Sequence, residues 1–461
     1  MKIIRELFAP VDMTTGAPWK KILVFMIPML VGNIAQQMYN AVDSIVVGKY
    51  LGDNALAAVG NAGPVINLLI VLFVGISMGA SIVVSQYQGR RDREALSLTV
   101  GNCIILTAMS VGIVMLLAIL FTKPLLNALK TPSSIREWCE SYLRIMLLGS
   151  LGMAYYNILS GVLRGLGDSM SALMYLLISC VLNIALDIFF VAGIGMGVNG
   201  AAGATVLAQG ISALLCFHKL LHMKKFFELK KSHIKWKKEY AWEIIRLGVP
   251  SGLTQVIMSM SMLLVQALTN SFGESVIAAN VIVVRVDSFA TMPAISFGTA
   301  MTTYAGQNMG AGLEKRVKKG AVQGSALAAG ISAIITVLLV IFGRYLMGIF
   351  TNTQNLVEMS YHFMCILAGG YIIFSVIQVL CGLMRGAGNP MAIMWVSVTA
   401  TFLVRLPLAY FMVWFTKSEL QPIGRPECLY ISQLAAWLFG LGLTLVFYKR
   451  VEYGKTHCRN K

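Results

Sequence analysis

Long apolar runs separated by short polar loops fill the chain from residue 22 to residue 448. About twelve runs are long enough for the roughly 20-residue helix that crosses a bilayer core. They cover approximately 22–46, 56–84, 97–121, 141–163, 171–193, 200–221, 246–270, 276–303, 320–342, 361–383, 391–415 and 429–448. Polar positions inside the runs follow helical spacing. Asn33, Gln36, Asn40 and Asp43 form a stripe along the first span, and Asn183 and Asp187 stand four apart in the fifth, on one helical face. The pattern predicts an all-α polytopic membrane protein whose first six helices enclose a hydrated cavity.

The chain then repeats itself. Gly161-Val-Leu-Arg-Gly-Leu-Gly-Asp-Ser169 returns 221 residues later as Gly382-Leu-Met-Arg-Gly-Ala-Gly-Asn-Pro390. Gln86-Tyr-Gln-Gly89 matches Gln307-Asn-Met-Gly310 in the same register, Leu51–Ala58 matches Phe272–Ala279, and Pro28 and Pro250 fall within one residue of it. Several matches in one register indicate duplication and not a chance likeness of glycine-rich turns. An even number of helices per repeat gives both halves the same orientation, hence two pseudo-symmetric six-helix lobes of the parallel-repeat kind. The expected division is an amino-terminal lobe at 1–222, a basic cytoplasmic linker at 223–245 and a carboxy-terminal lobe at 246–461.

Composition agrees with a membrane protein and excludes an ordinary soluble fold. Hydrophobic residues make up 57% and charged residues 12% of the chain, against about 25% charged in soluble domains. A net charge of +17 invites a nucleic-acid reading, but the lysines and arginines do not build one folded basic face. They gather at Lys2, Arg5, Lys20 and Lys21, in Gly89–Arg93, across Lys219 to Arg246, in Lys315–Lys319 and after Lys449, which are alternate loops. About 27 lie on that side and about 8 on the other, placing both termini in the cytoplasm by the positive-inside rule. The first apolar span is long and carries polar residues, so it is read as a retained helix and not a cleaved signal. Eight cysteines (103, 139, 180, 216, 365, 381, 428 and 458) and five histidines show no ligand spacing, so neither a metal site nor a disulfide framework is expected. No cofactor is implied either. Between the halves, Phe226, Phe227, Leu229, Trp236, Tyr240 and Trp242 interleave with lysines, which suits a helix lying on anionic lipid or a solvated linker.

Three acids stand inside spans: Asp43, Asp187 and Asp287. A carboxylate at mid-bilayer is costly unless paired, protonated or wet, so each is a functional candidate, with helix-to-helix hydrogen bonding as the plainer role. Arg285 beside Asp287 offers a partner that neutralises it. A carboxyl group shielded from water can hold a proton and release it when water or a cation arrives, while the Asn183 amide oxygen can complete the oxygen shell of a small hard cation. Protons and sodium both remain open on these residues. In the repeat register Asp187 falls on Leu408, Asn183 on Val404 and Asp43 near Val265, so the halves share architecture but not chemistry.

With Met38-Tyr-Asn-Ala-Val-Asp43, the following Val47-Gly48 and Leu51-Gly52, the paired R-G-x-G segments and Gln307–Gly310, the chain resembles the multidrug and toxic compound extrusion (MATE) family over nearly its whole length. The resemblance implies a twelve-helix antiporter of two lobes that exports amphipathic, often cationic compounds against inward proton or sodium flow. Asp43, Asn183 and Asp187 match the ion-coupling positions of the prokaryotic, DNA-damage-inducible (DinF-like) branch, and Thr205 resembles the polar residue beside them. A second branch uses acids on helices seven and ten; here helix seven carries Gln255, and Cys365 to Cys381 contains no acid.

The resulting expectation is alternating access in a prokaryotic inner membrane by a monomer. Asp43, Asn183, Asp187 and Thr205 couple it to the ion, with possible sodium at the first three. Gln36, Tyr39, Asn40, Gln255, Arg285 and Asp287 line the substrate cavity. Pro28, Pro250 and Pro407 are candidate bending points. Twenty-seven methionines suit a soft substrate surface, although lipid-facing packing accounts for most of them. Three rivals are weighed against this reading. A lipid-linked oligosaccharide flippase needs several cavity cations, and only Arg285 and Arg405 lie within spans. A membrane-embedded prenyl-chain transferase needs clustered acids for magnesium, and none are clustered. A major-facilitator transporter is matched only loosely, by Gly89–Arg93.

Overall fold

Lipid offers no partner for backbone N–H and C=O groups, so each apolar run satisfies them internally as helix. The computed structural model describes residues 10–128, 131–419 and 422–450; Lys2, Arg5 and Cys458 lie outside them. Twelve helical spans follow in order: α1 Pro18–Leu51, α2 Asp53–Arg90, α3 Arg93–Ala128, α4 Ser133–Leu148 continued by Ser150–Gly165, α5 Ser169–Gly193, α6 Gly197–His222, α7 Lys238–Asn270, α8 Glu274–Gly310, α9 Glu314–Gly348, α10 Gln354–Gly386, α11 Pro390–Phe415 and α12 Glu427–Lys449. Eleven are long and apolar enough to cross a membrane, and α4 makes twelve when its two halves, bent by 49° at Gly149, count as one span. No strand occurs among the described residues. Two spans carry π-helical turns, Ile188–Gly193 directly after Asp187 and Thr399–Arg405 just before Pro407. Such turns shift the side chains that flank them and are frequent at functional sites.

The chain forms two compact units: Met1–Asp12 with Val31–Gly252, and Met13–Leu30 with Leu253–Lys461. The first span therefore changes unit within three residues of Pro28, and the seventh within three residues of Pro250. Each unit has its own apolar core. Val47, Ala58, Phe73, Leu143 and Ala202 belong to one; Ala279, Val283, Phe363, Tyr371 and Ala409 belong to the other.

The repeated nine-residue motif has one structural job in both units. Gly161 and Gly165 lie one helical turn apart on α4 and face α2, where a Cβ would fall 2.8 Å from the Ser77 carbonyl oxygen and 2.7 Å from that of Ser81. Gly382 and Gly386 on α10 face α8, where a Cβ would fall 2.9 Å from the carbonyl carbon of Gly298 or collide with the Thr302 carbonyl. All four contacts obey the 221-residue register. Backbone-to-backbone approach of this kind is how small residues hold membrane helices together. The motif then ends the helix. Gly167 (φ 93°) and Gly388 (φ 87°) adopt the left-handed backbone that favours glycine. The next residue starts the following span as N-cap: Asp168 accepts from Ser171 N (2.9 Å) and Asn389 from Ala392 N (3.3 Å).

The segments preceding α1 and α7 are held in corresponding ways. In the second unit, Met13 N donates to Gln307 Oε1 (3.0 Å) and Trp19 N to Gln323 Oε1 (3.2 Å). Asn308 Nδ2 and Arg316 Nε donate to Met13 O, and Arg316 Nη2 to Thr15 O (2.8 Å). In the first unit, Lys237 N donates to Asn102 Oδ1 (3.0 Å), Glu228 N to Ser97 Oγ (3.3 Å) and Arg93 to Lys224 O. Of the two readings given for the basic linker, the interfacial helix is therefore corrected. Residues 223–237 form turns and one short 3₁₀ turn, Lys231–His233, and side chains of α3 pair with their backbone: Ser97 and Asn102 accept from two N–H groups and Arg93 donates to one carbonyl. Arg316→Ala removes several charge-assisted bonds to the 13–16 backbone at once. Amide exchange of residues 13–16 is expected to accelerate at least about tenfold, read by hydrogen–deuterium exchange with mass spectrometry.

Candidate functional site

The polar stripe of α1 and the Asn183/Asp187 pair of α5 meet inside the first unit. Asn183 and Asp187 are each 0% exposed. In the amide orientation that satisfies both its ends, Asn183 Nδ2 donates to Asp187 Oδ2 (2.8 Å), and Asn183 Oδ1 accepts from Thr205 Oγ1 (3.2 Å) and Thr205 N (3.1 Å). The four-residue spacing read in the sequence is thus a direct bond. Tyr39, one turn before Asp43 on α1, reaches Thr205 with a hydroxyl-to-hydroxyl distance of 3.4 Å.

Asp43 and Asp187 face one another at hydrogen-bonding range. Two carboxylates that close cannot both stay ionised without a proton or a cation between them. Oδ1 of each is buried and makes no hydrogen bond within the protein, which leaves two acceptor positions available to such an ion. Tyr142 of α4, 6% exposed, completes the cluster through its electrostatic contact with Asp43. Nothing in its local sequence marks it; only the packing of α4 brings it there. Beyond Asp187 the π-turn interrupts regular helix, so the acid sits at a change of backbone geometry.

The remaining sequence candidates separate from this cluster. Gln36 Nε2 donates to Asn40 Oδ1 (3.3 Å), and Asn40 is exposed. Gln255 and Arg285 belong to the second unit and are exposed there. Asp287 also lies in the second unit, but the cation acting on it is Arg405 of α11, not Arg285. Residues two apart point to different sides of a helix, so Arg285 cannot serve Asp287. A group of three or more metal-ligating side chains does not occur among the described residues.

Thr205→Val keeps the shape of the side chain while removing the hydroxyl that joins Asn183 and Tyr39. The export activity that the sequence resemblance implies is expected to fall about three- to tenfold, as for loss of one buried hydrogen bond, and Thr205→Ser to retain most of it. Initial efflux rates at matched abundance provide the measurement.

Repeated sets of membrane helices, each unit with its own core, and a buried carboxyl pair inside one of them define a membrane transporter with internal repetition. The chain belongs to the MatE family, whose model matches residues 28–189 and again residues 250–411, one match per repeat. It is 30% identical to "Probable multidrug resistance protein YpnP" of Bacillus subtilis (strain 168), over 93% of this chain and 96% of that protein. It is 26% identical to "Probable multidrug resistance protein NorM" of Thermotoga maritima, over 95% of this chain and 93% of that one. Among solved structures, a Pyrococcus furiosus protein described as "Reverse polarity of binding pocket suggests different function of a MOP superfamily transporter" aligns with a TM-score of 0.87 at 23% identity, over 96% of this chain and 98% of the other. That last likeness concerns the fold.

Proposed function

We propose that this chain is a secondary antiporter that exports amphipathic, chiefly cationic compounds in exchange for protons or sodium, by alternating access. The observation that carries the reading is the convergence of Asp43 and Asp187, each with one unshared buried oxygen, from spans far apart in sequence. Support also comes from the names of the Bacillus and Thermotoga relatives. Binding of a proton or cation at the pair removes negative charge from the cavity and weakens its hold on a cationic substrate. A ligand shifts states only through such differential affinity. Each inward charge also draws on the membrane potential, about 2.3 kcal/mol per 100 mV.

In this reading Asn183 and Thr205 orient Asp187, while Gln36, Tyr39 and Asn40 in the first unit, and Gln255, Arg285 and Asp287 in the second, are candidates for contacting substrate. The two repeats run through residues 1–222 and 246–461 of the sequence, with the basic segment 223–245 between them, and the termini lie on the cytoplasmic side. A monomer is the proposed transporting unit. Because α1 and α7 change unit next to Pro28 and Pro250, the bending that accompanies transport falls at those prolines.

The reading is tested with the purified protein in liposomes and a fluorescent lipophilic cation. Efflux that responds to an imposed proton or sodium gradient supports it, and the effective gradient names the ion. Export indifferent to both gradients overturns coupling, and absence of any export overturns the drug-exporter reading in favour of another cargo.

A further inference from the structure

Between its third and fourth spans the first unit is less filled than the second is between the corresponding pair. In the 221-residue register Glu140 of α4 falls on Tyr361 of α10, Lys123 of α3 on Arg344 of α9, and Thr122 on Gly343. The second unit packs this place with the tyrosine. The Tyr361 hydroxyl donates to Val340 O (2.9 Å), and its ring lies so close to Gly343 that a Cβ there would fall 2.8 Å from it. The Arg344 guanidinium stands 4.3 Å from the ring centre and is paired with both oxygens of Glu358 (2.8 and 3.1 Å). In the first unit the same position is Glu140, which brings no ring. A groove of about 360 Å³ runs there between α3 and α4, with Lys123, Glu140 and Arg144 toward one end and Met115, Ile119 and Leu148 along it, a volume within the roughly 300–1,000 Å³ of ligand sites.

Charge and depth specify the occupant. Lys123 Nζ stands 3.8 Å and Arg144 Nη2 2.6 Å from the same Glu140 Oε1, so two cations share one carboxylate, while Arg136 and Glu137 nearby add one charge of each sign. One positive charge is left over. The Lys123 and Arg144 side chains are mostly exposed, and so are the apolar Ile119 and Leu148 beside them. An arginine facing lipid is costly without an anion, and among the described residues Arg144 shares its acid with Lys123. The part of α3 apolar enough to cross a membrane is Arg93–Pro124, so Lys123 marks the edge of the bilayer core. Trp138, exposed on α4 near Glu140, marks the same level, since indole favours the interface. Met115 is eight residues from Lys123, about 12 Å deeper in a helix, which stays within one leaflet of a roughly 30 Å core. Cations at the interface above an apolar groove one leaflet deep match a phosphate that carries an acyl chain.

We propose that the α3–α4 groove of the first unit binds one anionic phospholipid, its phosphate held by Lys123 and Arg144 and an acyl chain lying along Met115, Ile119 and Leu148. With the termini in the cytoplasm, this lipid belongs to the outer leaflet. The site is independent of the export reading, so the test is binding and not transport. Dissociation constants of dioleoyl phosphatidylglycerol and dioleoyl phosphatidylcholine are measured by native mass spectrometry on the purified full chain in detergent. Wild type is expected to bind phosphatidylglycerol at least about tenfold more tightly than phosphatidylcholine. Replacing both cations, Lys123→Gln with Arg144→Gln, is expected to weaken phosphatidylglycerol at least about tenfold, at about fivefold per cation, and phosphatidylcholine less than about threefold.

Glu140→Gln and Glu140→Tyr separate a groove from a mere basic patch. Both remove the acid and raise the local positive charge, but tyrosine copies the second unit and fills the groove. Exposed ion pairs contribute little to stability, so both variants stay folded. Glu140→Gln is expected to tighten phosphatidylglycerol about two- to fivefold and Glu140→Tyr to weaken it at least about fivefold. Tightening by both variants, no effect of the paired lysine and arginine substitutions, or equal binding of the two lipids by wild type overturns the proposal. Millimolar glycerol phosphate is expected to leave lipid binding unchanged. Displacement of the lipid by glycerol phosphate assigns the cations to a soluble phosphate and overturns the lipid site.

Discussion

Asp187→Asn and Asp43→Asn are each expected to lower gradient-driven efflux by at least about tenfold while leaving the protein folded. The substitution is nearly isosteric, and an amide at position 187 can still accept from Asn183, so the packing of α5 against α6 persists. What disappears is the ability of two facing carboxyl groups to take up and release one positive charge between them. A buried acid kept for structure behaves differently: breaking its hydrogen bonds lowers stability along with activity. Here the neutral variant removes like-charge repulsion and the cost of holding a charge in the bilayer, so the melting temperature should stay equal or rise by a few degrees. Efflux and thermal unfolding, measured on one preparation, separate the cases. Loss of both together returns Asp187 to a structural role, and efflux at the wild-type rate removes it from coupling.

Gly161→Val and Gly382→Val are expected to have the largest effect on stability. At Gly382 the added Cβ meets only the Gly298 backbone, and at Gly161 it meets the Ser77 hydroxyl and, even with that turned away, the Ser77 carbonyl oxygen at 2.8 Å. Relief requires α4 to leave α2, or α10 to leave α8, and with it the glycine-to-backbone contact one turn away at Gly165 or Gly386. Overpacking a core commonly costs about 1–3 kcal/mol, and a clash between two backbones belongs at or above the top of that range. Folded yield in detergent, read by gel filtration, should fall severely for both variants. Gly161→Ala should be milder than Gly161→Val, because the two extra methyls are absent. A control at Gly330, where a Cβ meets nothing within 4 Å, should behave as wild type. If valine at position 161 or 382 leaves yield and melting unchanged, the shared motif is not the packing device inferred for it.

Much of the fold was legible because a bilayer converts sequence into structure with few choices. A run of about 20 apolar residues must be helix, and a register kept over several motifs must be a repeat, so the spans, the duplication and the isolation of the acids could be read directly. The Asn183–Asp187 bond was legible too, because four-residue spacing places both on one face. The basic linker was not. Its aromatic and lysine pattern fits an interfacial helix or a solvated linker alike, and its actual path depends on Ser97 and Asn102, more than a hundred residues earlier in the chain.

The repeated G-x-x-R-G-x-G segment shows the same division from the other side. Its recurrence was plain in the sequence, but its reason is the close approach of α4 to α2 and of α10 to α8, which a glycine announces without naming the partner. The carboxyl groups follow the same rule. Helical periodicity determined which face of α1 carries Asp43 and which face of α5 carries Asp187. Tertiary packing alone decided that these two meet beside Tyr142, and that Asp287 meets Tyr371 and Arg405 instead of its neighbour Arg285. The physical cause is range. Spacing along a helix fixes relations over a few residues, whereas the charge felt by a buried acid is set by whichever helix lies across from it.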